Sequence, residues 1–147
     1  TTVGTLADGT YTIPNVTHGT FSIRASVRGY APDERRLTLN TDGRQDFTLT
    51  RADVWPTGTP TVTLLPSHQY QFAGLLQNTG DACAQNLTGS LEVVIGTNRV
   101  VMPMVMSPAI LRPTETRPFT ACCWDDHLPG GTGTGTPTLM YDSVPCP

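Results

Sequence analysis

Three observations predict an all-β protein. Apolar and polar side chains alternate with a period of two, turn residues punctuate the alternating runs, and threonine is the commonest residue. The 147 residues include 14 Gly and 13 Pro, and 14% are charged, a balance that favours strands and turns over helices. The alternation is strictest over residues 20–28. Phe21, Ile23, Ala25 and Val27 fall on one face, with Ser22, Arg24, Ser26 and Arg28 on the other. That pattern fits a half-buried strand and no helix.

Shorter runs repeat it in the first fifty residues. Tyr11 and Ile13 alternate with Thr10 and Thr12, Leu37 and Leu39 with Arg36 and Thr38, and Phe47 and Leu49 with Asp46 and Thr48. Pro14-Asn15, His18-Gly19, Arg28-Gly29 and Asp42-Gly43 stand between them as turns. The expected product is a meander of about four strands. Residues 51–61, with two prolines, a glycine and Trp55, break the alternation and mark a boundary, with Trp55 expected to plug the junction. Beyond it, strands are predicted at residues 62–65, 70–77, 90–95, 99–106, 109–111, 118–124 and 138–144. Seven strands in about ninety residues is an immunoglobulin-like count. The predicted architecture is two tandem β-sandwich domains, residues 1–52 and 53–147, the second immunoglobulin-like.

Two resemblances bear on this division. Asp8-Gly9-x-Tyr11, the Pro14-Asn15-Val16 turn, Gly19, Gly29-Tyr30 and the closing Asp46-Phe47-Thr48-Leu49 resemble the carboxypeptidase regulatory-like family of transthyretin-like sandwiches. In that family about two strands precede the Asp-Gly-x-Tyr segment, whereas seven residues precede it here. The resemblance therefore implies an incomplete sandwich with an open groove and unpaired edges, which are association sites. Phe72, Asn78-Thr79-Gly80, Ala84 to Leu87, Leu111-Arg112-Pro113-Thr114-Glu115 and Phe119 resemble bacterial extracellular modules of the FxLYD and CARDB type. Thr114 stands where those modules place glycine. Such modules act as spacers and assembly units without a shared active site.

Charge and motifs exclude several function classes. The net charge is -3 and the isoelectric point near 5.4, so no basic surface is available to neutralise phosphates and nucleic acid is not an expected partner. No apolar run approaches the ~20 residues of a membrane span. The start of the sequence is no signal peptide, so export would require that a leader has been removed. All nine basic residues are arginine, which rules out isopeptide, Schiff-base and P-loop lysines. No Gly-x-Ser-x-Gly, His-Glu-x-x-His or phosphate-binding glycine loop is present, and no enzyme activity or cofactor is expected. Asp125-Asp126-His127 reads as a solvated turn, His18 and His68 as surface histidines, and Asp33-Glu34-Arg35-Arg36 as a neutralised cluster. The glycine–threonine run over residues 130–136 reads as a long hairpin loop.

Cys83, Cys122, Cys123 and Cys146 are even in number and allow three pairings. With Phe119 and Ala121 inward, alternation turns Cys123 to the core and Cys122 outward. The favoured set is Cys83 with Cys123 and Cys122 with Cys146. Zinc is the competing reading, but there is no Cys-x-x-Cys spacing. Two disulfides place the chain outside the cell, secreted or at the cell surface. Sequons at Asn15-Val16-Thr17 and Asn86-Leu87-Thr88 fall in predicted turns and are candidate glycan acceptors.

The expected role is a non-catalytic subunit of an extracellular filament, with copies of the chain joined by strand complementation. The first candidate donor is Thr1, Thr2, Val3, Gly4, Thr5 and Leu6, ahead of residues 138–141, which the second domain needs for itself. The alternative is an accessory or carbohydrate-binding module cut from a larger secreted protein, with glycans as partners.

Overall fold

The computed structural model describes residues 1–125 and 133–147, and all of its regular structure is β. Eight antiparallel strands form two sheets. β1 (Gly19–Ala25) and β2 (Asp33–Leu39) make a hairpin. β3 (Val54–Leu64), β4 (Gln69–Asn78), β5 (Cys83–Ile95), β6 (Asn98–Met106), β7 (Thr116–Asp125) and β8 (Gly133–Val144) make a six-stranded sheet ordered β3-β4-β7-β6-β5-β8.

The larger sheet folds over on itself at β6. Residues 98–103 of β6 pair with β5, and Met104, Val105 and Met106 pair with β7. A strand that leaves one ladder for the next is how a sheet turns a corner. The two layers bury one core between them. β3, β4 and β7 supply Val54, Leu76, Phe119 and Ala121, and β5 and β6 supply Leu87, Leu91, Val93, Met102 and Met104. Because β3 and β8 end the strand order, each keeps one unpaired edge.

One buried amide organises the end of the sandwich where the chain enters it. Asn78 is fully buried. Its Oδ1 accepts from Asp53 N (3.0 Å) and Gly80 N (3.1 Å), and its Nδ2 donates to Ala82 O (2.8 Å) and Leu111 O (3.0 Å). Thr79 N adds a bond to Asp53 O (2.7 Å), and Asp81 N and Ala82 N both donate to Arg51 O. Gly80 lies so close under residues 51–53 that a Cβ there would overlap their backbone. The Asn-Thr-Gly motif is thus a dock for the incoming segment, and residues 51–53 are held rather than left as a tether.

Several expected elements change accordingly. Residues 54–61 belong to β3, because prolines are tolerated on an edge strand whose N–H groups have no partner to lose. A register shift between Thr57 and Thr61 brackets Gly58 and Pro60. Trp55 does not plug the junction. It is 59% exposed, with Nε1 donating to Asp53 Oδ1 at 2.8 Å. Residues 109–111 form no strand, since the guanidinium of buried Arg117 takes up the carbonyls of Ser107, Ala109 and Ile110. Leu111 alone bridges to Ala84.

In the first fifty residues, alternation predicted the sides correctly except at Val27 and predicted two strands too many. Tyr11, Ile13, Phe47 and Leu49 are half-buried, yet none of them joins a ladder. Tyr11 packs on Phe47 with ring centroids 6.1 Å apart and donates to Gln45 O (2.6 Å). β1 stops at Ala25, and Val27, expected on the inner face, is exposed in a turn closed by Tyr30 N to Val27 O.

The turn before β7 places Thr114 where a glycine would be unstrained. Thr114 sits at φ 65°, a left-handed conformation costly for a β-branched residue. Its N–H donates to Asn78 O (2.8 Å), and Glu115 closes the turn by accepting from Arg112 N (2.8 Å). That bond, followed by the nearby Arg117 charge, holds the Glu115 carboxyl below its usual range.

Two stability predictions follow from these turns. Asn78→Leu strands two donors and two acceptors and is expected to cost about 3 kcal/mol or more in chemical denaturation. Gln77→Ala, next to it, is expected to stay within ~0.5 kcal/mol. Thr114→Gly relieves the left-handed strain and is expected to stabilise by up to ~1 kcal/mol, and a loss of stability there would contradict the strain.

Candidate functional site

The disulfides differ from the favoured pairing. Cys83 bonds Cys146 with their Cα atoms 5.1 Å apart, and Cys122 bonds its neighbour Cys123. No cysteine is free. The alternation argument failed at one residue. Ala121 pairs with Phe72 and Cys122 with Gln71, but the next pair joins Tyr70 to Trp124, which leaves Cys123 as the extra residue of a bulge. A bulge breaks the two-residue period, so Cys123 is exposed rather than turned to the core. Cys83, by contrast, is fully buried at the start of β5, opposite Val144 of β8, within reach of the C-terminal cysteine.

The other candidate residues do not converge on a reaction centre. Asn15 is exposed at φ 57° in its turn. Asn86 is exposed at φ 55° in the irregular part of β5, with Nδ2 donating to Asp142 Oδ2 (2.8 Å). The first sequon lies in a turn before β1 and the second within β5. Asp33 and Arg35 pair at 2.8 Å, and His68 lies in the Leu65–Gln69 turn. Asp126, His127 and residues 130–132 of the glycine–threonine run lie outside the described residues. Among the described residues, no three His, Cys, Asp or Glu side chains come together as a metal site would require, and no helix is long and apolar enough to cross a membrane.

Uncovered apolar surface and open strand edges dominate instead. Ala31 is the one buried residue in the first fifty. Phe21, Ile23, Leu37 and Leu39 share one face of the β1–β2 hairpin by register and are only half-buried. β1 and β2 pair with nothing but each other. The whole chain exposes 10008 Å². A compact monomer of its 15.8 kDa exposes about 7,300 Å², so this chain shows roughly a third more.

The second surface is a groove of about 650 Å³ between the two layers of the sandwich. Its walls are the edge strands β3, through Pro56, Gly58, Pro60 and Val62, and β8, through Gly135 and Pro137; its floor carries Phe72, Leu91, Val93, Ile95 and Phe119. One end is shut where Ala52 N donates to Ser143 Oγ (3.1 Å) and Val54 N to Tyr141 Oη (3.3 Å). Among the described residues the other end is open, with Gly58, Pro60, Gly135 and Pro137 lining its two walls. No carboxylate, imidazole or thiol lines it. Its polar lining is confined to the hydroxyls of Thr57, Tyr70 and Thr134, and the rest suits an apolar occupant. No signal for this groove was taken from the sequence, although Gly58, Pro60, Gly135 and Pro137 were its visible trace.

With this geometry in view, the chain matches no protein-family description, no curated protein and no solved structure.

The cysteine arrangement makes a graded prediction. The Cys83–Cys146 bond closes a loop across a separation of 63 residues, worth about 4 kcal/mol in the chain-entropy account. The bond between adjacent cysteines closes almost none. Replacing Cys83 and Cys146 by Ser is expected to lower the melting temperature strongly, whereas replacing Cys122 and Cys123 leaves it nearly unchanged. Peptide mapping without reductant that joined Cys83 to Cys123 would reject this arrangement.

Proposed function

We propose that the chain is a non-catalytic structural module of an extracellular or cell-surface assembly, and that it associates with copies of itself through its open sheet edges. The supporting observation is the set of open strand edges beside apolar surface, in a chain that exposes 10008 Å². Four strands, β1, β2, β3 and β8, each keep a free edge, and the hairpin's apolar face and the inter-layer groove lie beside those edges. Unpaired edges next to apolar surface are templates for strand addition. Stable interfaces bury about 1,600 Å² in total, which is less than the surface this chain exposes beyond a compact monomer.

The chemistry of the chain agrees with this reading. Fully paired cysteines suit an oxidising compartment, and the likeness of the two halves to extracellular sandwich modules points to the same setting. The groove is apolar and without ionised groups, which favours a peptide strand over a sugar that would need polar partners. An interface of this kind is heterologous, one patch meeting a different patch on the next copy, and it propagates rather than closing.

The test is the assembly state of the oxidised chain. Sedimentation velocity over a wide concentration range is expected to show mass-action growth beyond the monomer, and electron microscopy of concentrated samples is expected to show filaments. A folded chain that sediments at monomer mass throughout would overturn the proposal.

A further inference from the structure

Resting on that self-association, we infer that the groove between β3 and β8 is the acceptor site, and that it takes residues 1–6 of a second copy as an added strand. The hairpin face, first expected to be the acceptor from the sequence, is the weaker site. Its inner side carries the Arg35–Asp33 ion pair opposite Ile23 and Ala25, and charges turned inward discourage strand addition. The groove has none.

The β8 wall presents the backbone such a strand needs. Pro137 pairs with Leu91 but has no N–H to give, so its backbone faces away from β5. Gly135, two residues earlier, shares that orientation and directs its N–H and C=O toward the free edge. Having no side chain, Gly135 also leaves the groove open above half-buried Ile95, while Leu91 and Val93 beneath it are already buried. An incoming strand would satisfy these main-chain groups and cover exposed Val62 and half-buried Phe72 and Ile95 together.

Residues 1–6 fit as the donor. They are exposed throughout and belong to no ladder, with Val3 36% and Leu6 69% exposed. The turn that follows is closed: Leu6 N donates to Thr10 O, Gly9 N to Leu6 O, and Thr10 N to Asp8 Oδ1. Leu6 thus anchors the turn, and residues 1–5 before it are exposed and outside any ladder. Thr1, Val3 and Thr5 lie on one face at period two, and all three are β-branched, the side chains favoured on a pleated surface. Six residues span ~20 Å, comparable to the stretch of β8 from Gly133 to Leu139 along the open part of the groove.

Gly135→Val separates this site from the fold. A Cβ at Gly135 meets Leu91 Cδ1 at 3.5 Å, ordinary van der Waals contact, so the substitution fills the groove without displacing the strand. Gly135→Val is expected to keep its melting temperature and to weaken self-association roughly tenfold or more. Deleting residues 1–6 should do the same. The two variants mixed should form a one-to-one complex that grows no further, because one supplies only the arm and the other only the groove. Assembly by Gly135→Val as strong as in the parent overturns the groove while leaving self-association intact. Assembly by the deletion overturns the arm. A synthetic peptide Thr-Thr-Val-Gly-Thr-Leu, titrated into the deletion variant, tests the pair of surfaces apart from filament growth. It should shift the methyl resonances of Val93 and Ile95, and the absence of any shift would overturn the assignment even if the intact chain assembles. A monomeric intact chain together with a peptide that does bind would overturn the assembly reading and leave the groove standing.

Discussion

The buried side chain of Asn78 is the constraint on which the larger sheet depends. A carboxamide offers two donors and an acceptor with two lone pairs, and all four bonds are made here to backbone groups of three separate segments. Those segments are the incoming residues 51–53, the β4–β5 turn and the stretch leading to β7. An apolar residue of the same size would leave each group unsatisfied, and an aspartate would offer no donor. Because Gly80 admits the backbone of residues 51–53 at close range, the same motif both satisfies the turn and fixes where β3 begins. The starting point of β3 then sets its register on β4, and with it which apolar residues reach the core.

A second device acts at the other side of the same end. Arg117, 7% exposed, spends its guanidinium on the carbonyls of residues 107–110 and on Glu115 at 3.3 Å. A charge so buried is tolerated because it is hydrogen-bonded on several sides and paired. The effect is to hold an irregular segment against the sandwich without a ladder. Asn78 and Arg117 together secure one end of the sandwich. At the far end, glycine and proline rather than larger side chains line β3 and the start of β8 among the described residues, and there the layers part into the groove. Stability and the proposed binding surface are thus placed at opposite ends of one fold.

The first fifty residues show the opposite economy. They alternate as regularly as any part of the chain, yet bury almost nothing. Phe21, Ile23, Leu37 and Leu39 are turned to one side with only Tyr11, Phe47 and their neighbours beside them. A two-stranded hairpin is marginal alone, and this one stands with its apolar side half covered. Ala31 bridges to Thr50, and the docked residues 51–53 carry the chain from there into the larger sheet.

The sequence by itself determined the strand class, the faces and most strand positions. A two-residue period is a local property of side chains, and it holds whether or not a partner strand exists. For the same reason it could not tell that Tyr11–Ile13 and Phe47–Leu49 remain outside the ladders, since pairing depends on a second backbone arriving at the right distance. The role of residues 54–61 was hidden because prolines mark loops and edge strands alike, and only the position of β3 at the end of the sheet distinguishes them. Cysteine pairing was decided by a single extra residue between the pairs Tyr70–Trp124 and Gln71–Cys122, which reverses every orientation beyond it. The groove belongs wholly to tertiary structure. Its glycines and prolines are visible in the sequence, but they become an opening only where two edges of one folded-over sheet come to face each other.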